Sequence, residues 1–258
     1  MVVEDQPFAL ERACLRVDDS RVWEDRHLVV EEMPLAISVN GRAFTTAMLS
    51  PRQLREFVVG HLFTEGVIRS TSEIESLEVE GRQARAIVAN PLAARLPRRM
   101  VLSGCGGGSS YLDEDRLPHV KSDLAVSAGQ IFRAVFALSS SPLHRETGGI
   151  HSAGLFSTSG EPAALAEDIG RHNAMDKVIG HSLLLGPDVS AHFAVCTGRI
   201  SSEMVMKASR AGIPILASRG ASTGLALDLA EKTGLCVVGF ARGKRMNIYT
   251  HRHRVSLP

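Results

Sequence analysis

The residues most suggestive of chemistry are Cys105 and the glycines around it. In "VLSGCGGGSSYLDEDRL", residues 101–117, one cysteine stands among four glycines and ahead of two serines, in a chain with four cysteines altogether. Glycine has no side chain to pack and loses much backbone freedom on ordering, so this composition predicts a loop open to close approach. A structural cysteine wants a packed apolar shell instead. The residues leave two readings open: a sulfur nucleophile or carrier, and a glycine-rich linker with an incidental cysteine. A phosphate-binding P-loop is ruled out, because no lysine follows the last glycine until Lys121. A dinucleotide fingerprint fails as well, since Ser109 stands where its third glycine should be. Zinc deaminase chemistry lacks its P-C-x-x-C string.

The densest polar text lies further on, in "ETGGIHSAGLF" and "AEDIGRHNAMDKVIGHSLL". The first reads as a Gly-Gly turn into a strand that begins at His151. The second reads as a strand end running into a helix that begins near Arg171, where free N–H groups after Gly170 would seat an anion. Asn173, Asp176 and Lys177 share one side of that helix, and by spacing alone Asp176 and Lys177 read as a solvated face. Met175, Val178, Ile179 and Leu183 form its buried side. His61, on an apolar helical stripe, reads as a core or interface histidine. His251 and His253 read as part of a basic tail rather than metal ligands. Cys196 and Cys236, inside apolar runs, read as packing residues.

These groups need elements to position them. "PLAISVNGRAFTTAML" predicts a hairpin turning at Asn40-Gly41. "SPRQLREFVVGHLFTEGVI" predicts a helix with Ser50 as N-cap and Pro51 in its first turn, closed by Gly66. A second hairpin is expected around Gly81, and a helix capped by Ser127 bearing Ile131, Val135 and Leu138. From residue 190 strand and helix alternate through "AHFAVCTG", "SSEMVMKASRAG", "IPILASRG", "STGLALDLAEKTG", "LCVVGFAR" and a last strand "MNIYTH". That alternation predicts an α/β layer with a largely parallel sheet. Thr197-Gly198-Arg199, Ser218-Arg219-Gly220 and Arg242-Gly243 follow the carboxyl ends of its strands, the edge at which open α/β sheets bind ligands. The expected division is an N-terminal α+β domain, residues 1–124, and a C-terminal α/β domain, residues 125–258.

Composition narrows the function classes. Apolar residues make up 44% and charged residues 22% of 258 positions, ordinary values for a globular protein. A net charge of +1 and 5% aromatics give no support to nucleic-acid binding or to an anionic membrane surface. The N-terminal segment has no secretory pattern, and no run reaches the length of a membrane span. With no short cysteine spacing, a reduced, cytoplasmic protein is expected.

"EEMPLAISVNG", "GHLFTEGVI", "TGGIHSAGLF", "EDIGRHNAMDKVIG", "CTGRISSEMVMKASRAGIPILASRGASTGLALDLAE" and "GFARGKRMNIYTH" resemble, in order from about residue 31 to 251, the successive blocks of the FdhD family of formate dehydrogenase accessory sulfurtransferases. The resemblance implies a C-terminal cytidine-deaminase-like three-layer α/β/α domain without the zinc site, a smaller α+β N-terminal domain, and a homodimer. It implies that sulfur passes from a cysteine desulfurase, as a persulfide on Cys105, to the molybdenum of the bis(molybdopterin guanine dinucleotide) cofactor of formate dehydrogenase. Cys105 falls at the first cysteine of the family's C-x-x-C loop, and Gly108 stands at the second. A one-cysteine relay survives that change, because the attacking thiolate also holds the transferred sulfur. By resemblance the cofactor would lie against Phe240, Ala241, Arg242, Gly243, Lys244 and Arg245, with His151, Gly170 and Arg171 as further contacts. A cofactor-holding chaperone with Cys105 dispensable is the alternative. A nucleotide-converting enzyme using His151, Asp168 and His172 comes third.

Overall fold

The computed structural model describes residues 8–90, 100–101, 108–109 and 117–257. The first elements, β1 (Ala9–Val17) and β2 (Val22–Val30), form a separate antiparallel ribbon. Its charges pair across the strands, Arg12 with Glu31 at 2.6 Å, Arg16 with Asp25 at 2.7 Å and Arg26 with Glu11 at 2.9 Å.

A four-stranded sheet follows. β3 (Met33–Val39) and β4 (Arg42–Leu49) turn at Asn40 (φ 50°) and Gly41 (φ 73°), both left-handed, as a tight two-residue hairpin turn requires. Then come α1 (Leu54–Thr64), β5 (Ile74–Glu80) and β6 (Gln83–Val88), giving the order β4-β3-β6-β5. Leu35, Ile37 and Ala84 from this sheet meet Phe57, Val58 and Leu62 of α1 in one apolar cluster. The helix starts later than expected. Its N-cap is Gln53, and Ser50 does not cap it, because the Ser50 hydroxyl is committed to a buried network described below. Two short strands, β7 (Met100–Val101) and β8 (Gly108–Ser109), pair antiparallel.

The remainder is built on a six-stranded sheet. β9 (Val126–Ser127) leads into α2 (Ala128–Ser139), whose first turn is closed by Ser127 and Gln130 in a reciprocal capping box. After α3 (Pro142–Thr147) come β10 (His151–Phe156), β11 (Pro162–Asp168) and α4 (Arg171–Leu185). The alternation expected beyond residue 190 is present as β12 (Phe193–Cys196), α5 (Ser202–Ala211), β13 (Ile215–Ser218), α6 (Gly224–Thr233) and β14 (Cys236–Arg242). β15 (Arg245–Ile248) adds an edge, and the chain closes with β16 (Val255–Ser256), paired to β9, so "MNIYTH" is not the last strand. The strand order is β11-β10-β12-β13-β14-β15.

The sheet is mixed, not largely parallel. Only β12–β13 and β13–β14 run parallel, because β10, β11 and β15 join through hairpins rather than helices. Helices cover both faces. Ala153, Cys196, Leu216 and Val237 point to α4, α5 and α6, while Phe193, Val195, Ala217 and Val238 point to α2.

The two sheets are locked together where α1 crosses α4. A Cβ on Gly60 would lie 1.8 Å from the Asp176 carbonyl oxygen, and one on Gly180 would lie 1.8 Å from that of Glu56. Each glycine thus faces the residue four before the other, and only hydrogen in place of a side chain permits this approach. Two buried ion pairs flank the crossing. Lys177 Nζ sits 2.6 Å from Asp168 Oδ2 and 2.7 Å from Ser50 Oγ. Lys207 Nζ lies 2.7 and 2.8 Å from the two Asp176 oxygens and 2.9 Å from Thr64 Oγ1. Asp176 and Lys177 are 1% and 0% exposed, so the solvated face expected for them is wrong. Their partners come from segments distant in sequence, which spacing along one helix does not reveal. His61 joins the second network through Nδ1, 3.0 Å from Asp176 Oδ2, and stacks on Phe57, an interface histidine as expected.

Candidate functional site

The carboxyl edge of the parallel strands carries a cleft of about 470 Å³. His144, Gly148 and Gly149 contribute from the end of α3, Ile150 and His151 from the start of β10, and Ile169 from the β11–α4 junction. Thr197, Arg219 and Arg242 complete it from the ends of β12, β13 and β14. The antiparallel course of β10 brings its first residue, His151, beside the last of β11, Asp168. No carboxylate lines the cleft among the described residues. Two arginines and two histidines there favour an anion, and guanidinium groups hold phosphate oxygens with charge-assisted bonds.

Glycines let these groups converge. A Cβ on Gly198 would meet Arg171 Cβ at 2.8 Å and His151 Nδ1 at 3.2 Å. Arg171 thereby lies behind His151, and its Nε is buried with no hydrogen-bond partner. Arg242 Nε donates to the Arg219 carbonyl at 2.9 Å, which ties the ends of β14 and β13 together. Burial, then Arg171, then His144 hold the His151 imidazole below the ordinary histidine range. His172 is driven down further, to about 3, chiefly by burial and then by Arg171 and Lys207. Its Nε2 lies 3.1 Å from Glu203 Oε2, so it is a buried, neutral imidazole turned to α5.

The sequence-predicted residues divide into three groups. His151 and Arg242 line the cleft. Gly170 and Arg171 sit at its back, next to Ile169, and the Gly170 N–H is taken by Asp168 Oδ1 at 2.9 Å. Asp168 cannot serve as an acid–base group either, since Lys177, Ser50 and Asn173 engage both its oxygens. In the stretch 240–245, Ala241 is wholly buried in the sheet core, and Gly243, Lys244 and Arg245 are exposed at the β14–β15 turn. Phe240 is 42% exposed with φ 53°, a left-handed conformation costly for a bulky residue, at the bulge where its N–H reaches the Gly220 carbonyl.

Cys105 lies outside the described residues, between β7 and β8 in sequence. Cys196 and Cys236 are packing residues as expected, their thiols pushed by burial up to about 11 and about 12. Gly148 and Gly149 belong to the "TGGIH" turn, whereas no sequence signal marks His144 as a lining residue. His144 also opens the chain's H-x-E string, His144–Glu146, but among the described residues no three His, Cys, Asp or Glu side chains are grouped to hold a metal ion.

Fold and cleft define a mixed α/β protein that offers a basic seat at the carboxyl edge of its sheet. Residues 30–256 match the FdhD/NarQ family, and the chain belongs to that family. It is 36% identical over 256 residues to the sulfur carrier protein FdhD of Geobacillus kaustophilus, covering 96% of this chain and 97% of that one. It is 38% identical over 237 residues to the protein of the same name from Bacillus pumilus, covering 88% and 90%. A crystal structure assigned as a formate dehydrogenase accessory protein from Desulfotalea psychrophila superposes with a TM-score of 0.82 at 29% identity, covering 97% of this chain and all of that one. The chain thus resembles sulfur carrier proteins in sequence and a formate dehydrogenase accessory protein in fold.

Proposed function

We propose that the protein is a persulfide-carrying sulfurtransferase that serves formate dehydrogenase. The Cys105 thiolate attacks the outer sulfur of a cysteine desulfurase persulfide. A new S–S bond forms on Cys105, and the desulfurase thiolate leaves. The carried sulfur then passes to the molybdenum of bis(molybdopterin guanine dinucleotide), which this chain would hold as a substrate: the Cys105 S–S bond breaks, the Cys105 thiolate leaves, and the reduced metal supplies the two electrons that make the sulfur a sulfide ligand. The observation that carries the reading is the cleft, whose Arg219, Arg242, His144 and His151 suit the diphosphate of a guanine nucleotide arm.

The remaining family traits complete the proposal: a homodimer of two-domain subunits divided near residue 125, with a cytidine-deaminase-like C-terminal domain. Apolar clusters confined to residues 33–88 and, apart from Phe63, to residues 117–255 support the division. The free thiols of Cys14, Cys196 and Cys236 suit a reduced cytoplasm. Intact-mass measurement after incubation with a desulfurase and cysteine tests the relay. A reducible gain of one sulfur, about 32 Da, is expected on Cys105. Cys105→Ser should abolish formate dehydrogenase maturation while leaving nucleotide affinity intact. Full maturation by that variant would replace the carrier with a cofactor-holding chaperone, the reading that Gly108 at the second cysteine position favours.

A further inference from the structure

The hydrogen bonds around the two cleft histidines assign each ring a tautomer. His144 Nδ1 lies 2.9 Å from the Ile150 carbonyl oxygen. A carbonyl only accepts, so Nδ1 carries the hydrogen and Nε2 keeps a lone pair in the neutral ring. His151 Nδ1 lies 3.4 Å from Thr197 Oγ1. That hydroxyl accepts from the Ser152 N–H at 3.0 Å and donates its one hydrogen to the Ser152 carbonyl at 3.5 Å. With that hydrogen on the Ser152 carbonyl, His151 Nδ1 is the donor and Nε2 the bare nitrogen, with no partner among the described residues. A lone pair has the wrong sign for the anion that Arg219 and Arg242 attract. A hydrogen added there turns it into a charge-assisted donor.

We infer that this cleft takes its diphosphate ligand together with a proton from solvent, and that the proton settles on Nε2 of His151. The inference deepens the proposed function and rests on its placing of the nucleotide diphosphate in this cleft. Charged groups reach His151 from every element around it. Arg171 on α4 and His144 on α3 oppose its protonation, as does burial. Arg219 and Arg242 add positive charge from the ends of β13 and β14. Asp168, at the end of β11, favours protonation but is already paired with Lys177. A ligand bearing two negative charges tips this balance, because it supplies the counter-charge that the lining itself lacks. His172 is not the acceptor, since it does not line the cleft and burial opposes its charge.

The test is calorimetry with P1,P2-di(guanosine-5′) diphosphate. Both of its phosphates are esterified on each side, so its charge is constant between about pH 5.5 and 8.5 and only the protein titrates. Titration near pH 7.5 in buffers of different ionisation enthalpy should give an uptake of about one proton per site. Affinity should rise by up to about tenfold per unit fall in pH until the free site itself protonates. His151→Gln should still bind through the arginines, with no proton uptake and a flat pH profile, whereas His144→Gln should retain the uptake. Binding without buffer-dependent heat would overturn the inference and leave the cleft reading standing. Uptake that survives in His151→Gln would also overturn it. A folded protein that binds the dinucleotide at no pH would remove the cleft reading and the inference together.

Discussion

The molecule handles charge in two opposite ways. At the α1–α4 crossing every charge has a partner. Asp168 meets Lys177 and Ser50, and Asp176 meets Lys207, Thr64 and His61. In the cleft, positive groups converge and, among the described residues, no carboxylate joins them and none accepts from the buried Nε of Arg171 behind them. A buried charge is tolerated when paired and costly when not. The first region is therefore complete in itself, and its role is to hold two sheets in register. The second has room for a counter-charge that its own described lining does not supply. The family-specific string "DIGRHNAMDK" spans both regions. Its Asp168, Asn173, Asp176 and Lys177 serve the crossing, and Ile169 lines the cleft with Gly170 and Arg171 beside it.

If the crossing is purely structural, breaking it should cost stability before it costs ligand affinity. The largest effect is expected from Gly180→Val. Its Cβ would fall 1.8 Å from the Glu56 carbonyl oxygen and 2.8 Å from the Gly60 nitrogen, and backbone on both sides leaves no flexible group to yield. The expected loss exceeds about 5 kcal/mol, the exceptional range for a point substitution. Thermal unfolding measures it, and a melting temperature near wild type would show that the two helices part freely. Next comes Lys207→Met, which leaves Asp176 buried and short of its main partner. The expected cost is about 3–5 kcal/mol. The double variant Lys207→Met/Asp176→Asn should recover part of that loss. No recovery in denaturant titrations would mean that packing, and not charge, sets the cost.

Local features of the fold were legible in the sequence, and distant pairings were not. The Asn40-Gly41 and Gly81 hairpins and the Ser127 cap each depend on a few adjacent residues, and each is present. The strand-end arginines Arg219 and Arg242 were visible as a class, because a loop after a buried strand must lie at the sheet edge. Ser50 reads as a cap until Asp168, over a hundred residues away, is known to bind it. Asp176 and Lys177 read as surface until Lys207 and Ser50 are brought to them. The β1–β2 ribbon escaped notice because its stabilising pairs are cross-strand ion pairs, which leave no apolar alternation to detect.

The cleft should respond in the reverse sense. Arg219→Ala and Arg242→Ala should each weaken binding of a guanine dinucleotide by roughly 10- to 100-fold, the loss of one charge-assisted contact worth about 1.5–3 kcal/mol. Melting temperatures should stay close to wild type, because neither guanidinium forms an ion pair among the described residues. Calorimetry beside thermal unfolding separates the two effects. A variant that lost stability and kept affinity would move its arginine from the ligand side of the comparison to the structural side.

The smallest effect at neutral pH belongs to His172, which stands between the two regions. Its imidazole is held at about 3 against an ordinary 6.5, by burial first and then by Arg171 and Lys207. Between those values the unfolded chain binds a proton that the folded chain refuses, so stability falls as pH drops from about 6.5 toward 3. His172→Gln removes the titrating ring, and its amide can still donate to Glu203. The variant should match wild type near pH 7 and gain on it steadily as the solution is acidified. Asp176 does not confuse the comparison. Burial works against its charge, but Lys207 and His61 hold it at about 2, so its contribution is lost only as pH falls from 3.8 through that value, and equally in both proteins. Glu203, raised by burial, works in the opposite direction and is likewise common to both. Parallel pH–stability curves for variant and wild type would show that His172 protonates freely in the fold, and would place it with the solvent-accessible groups of the cleft.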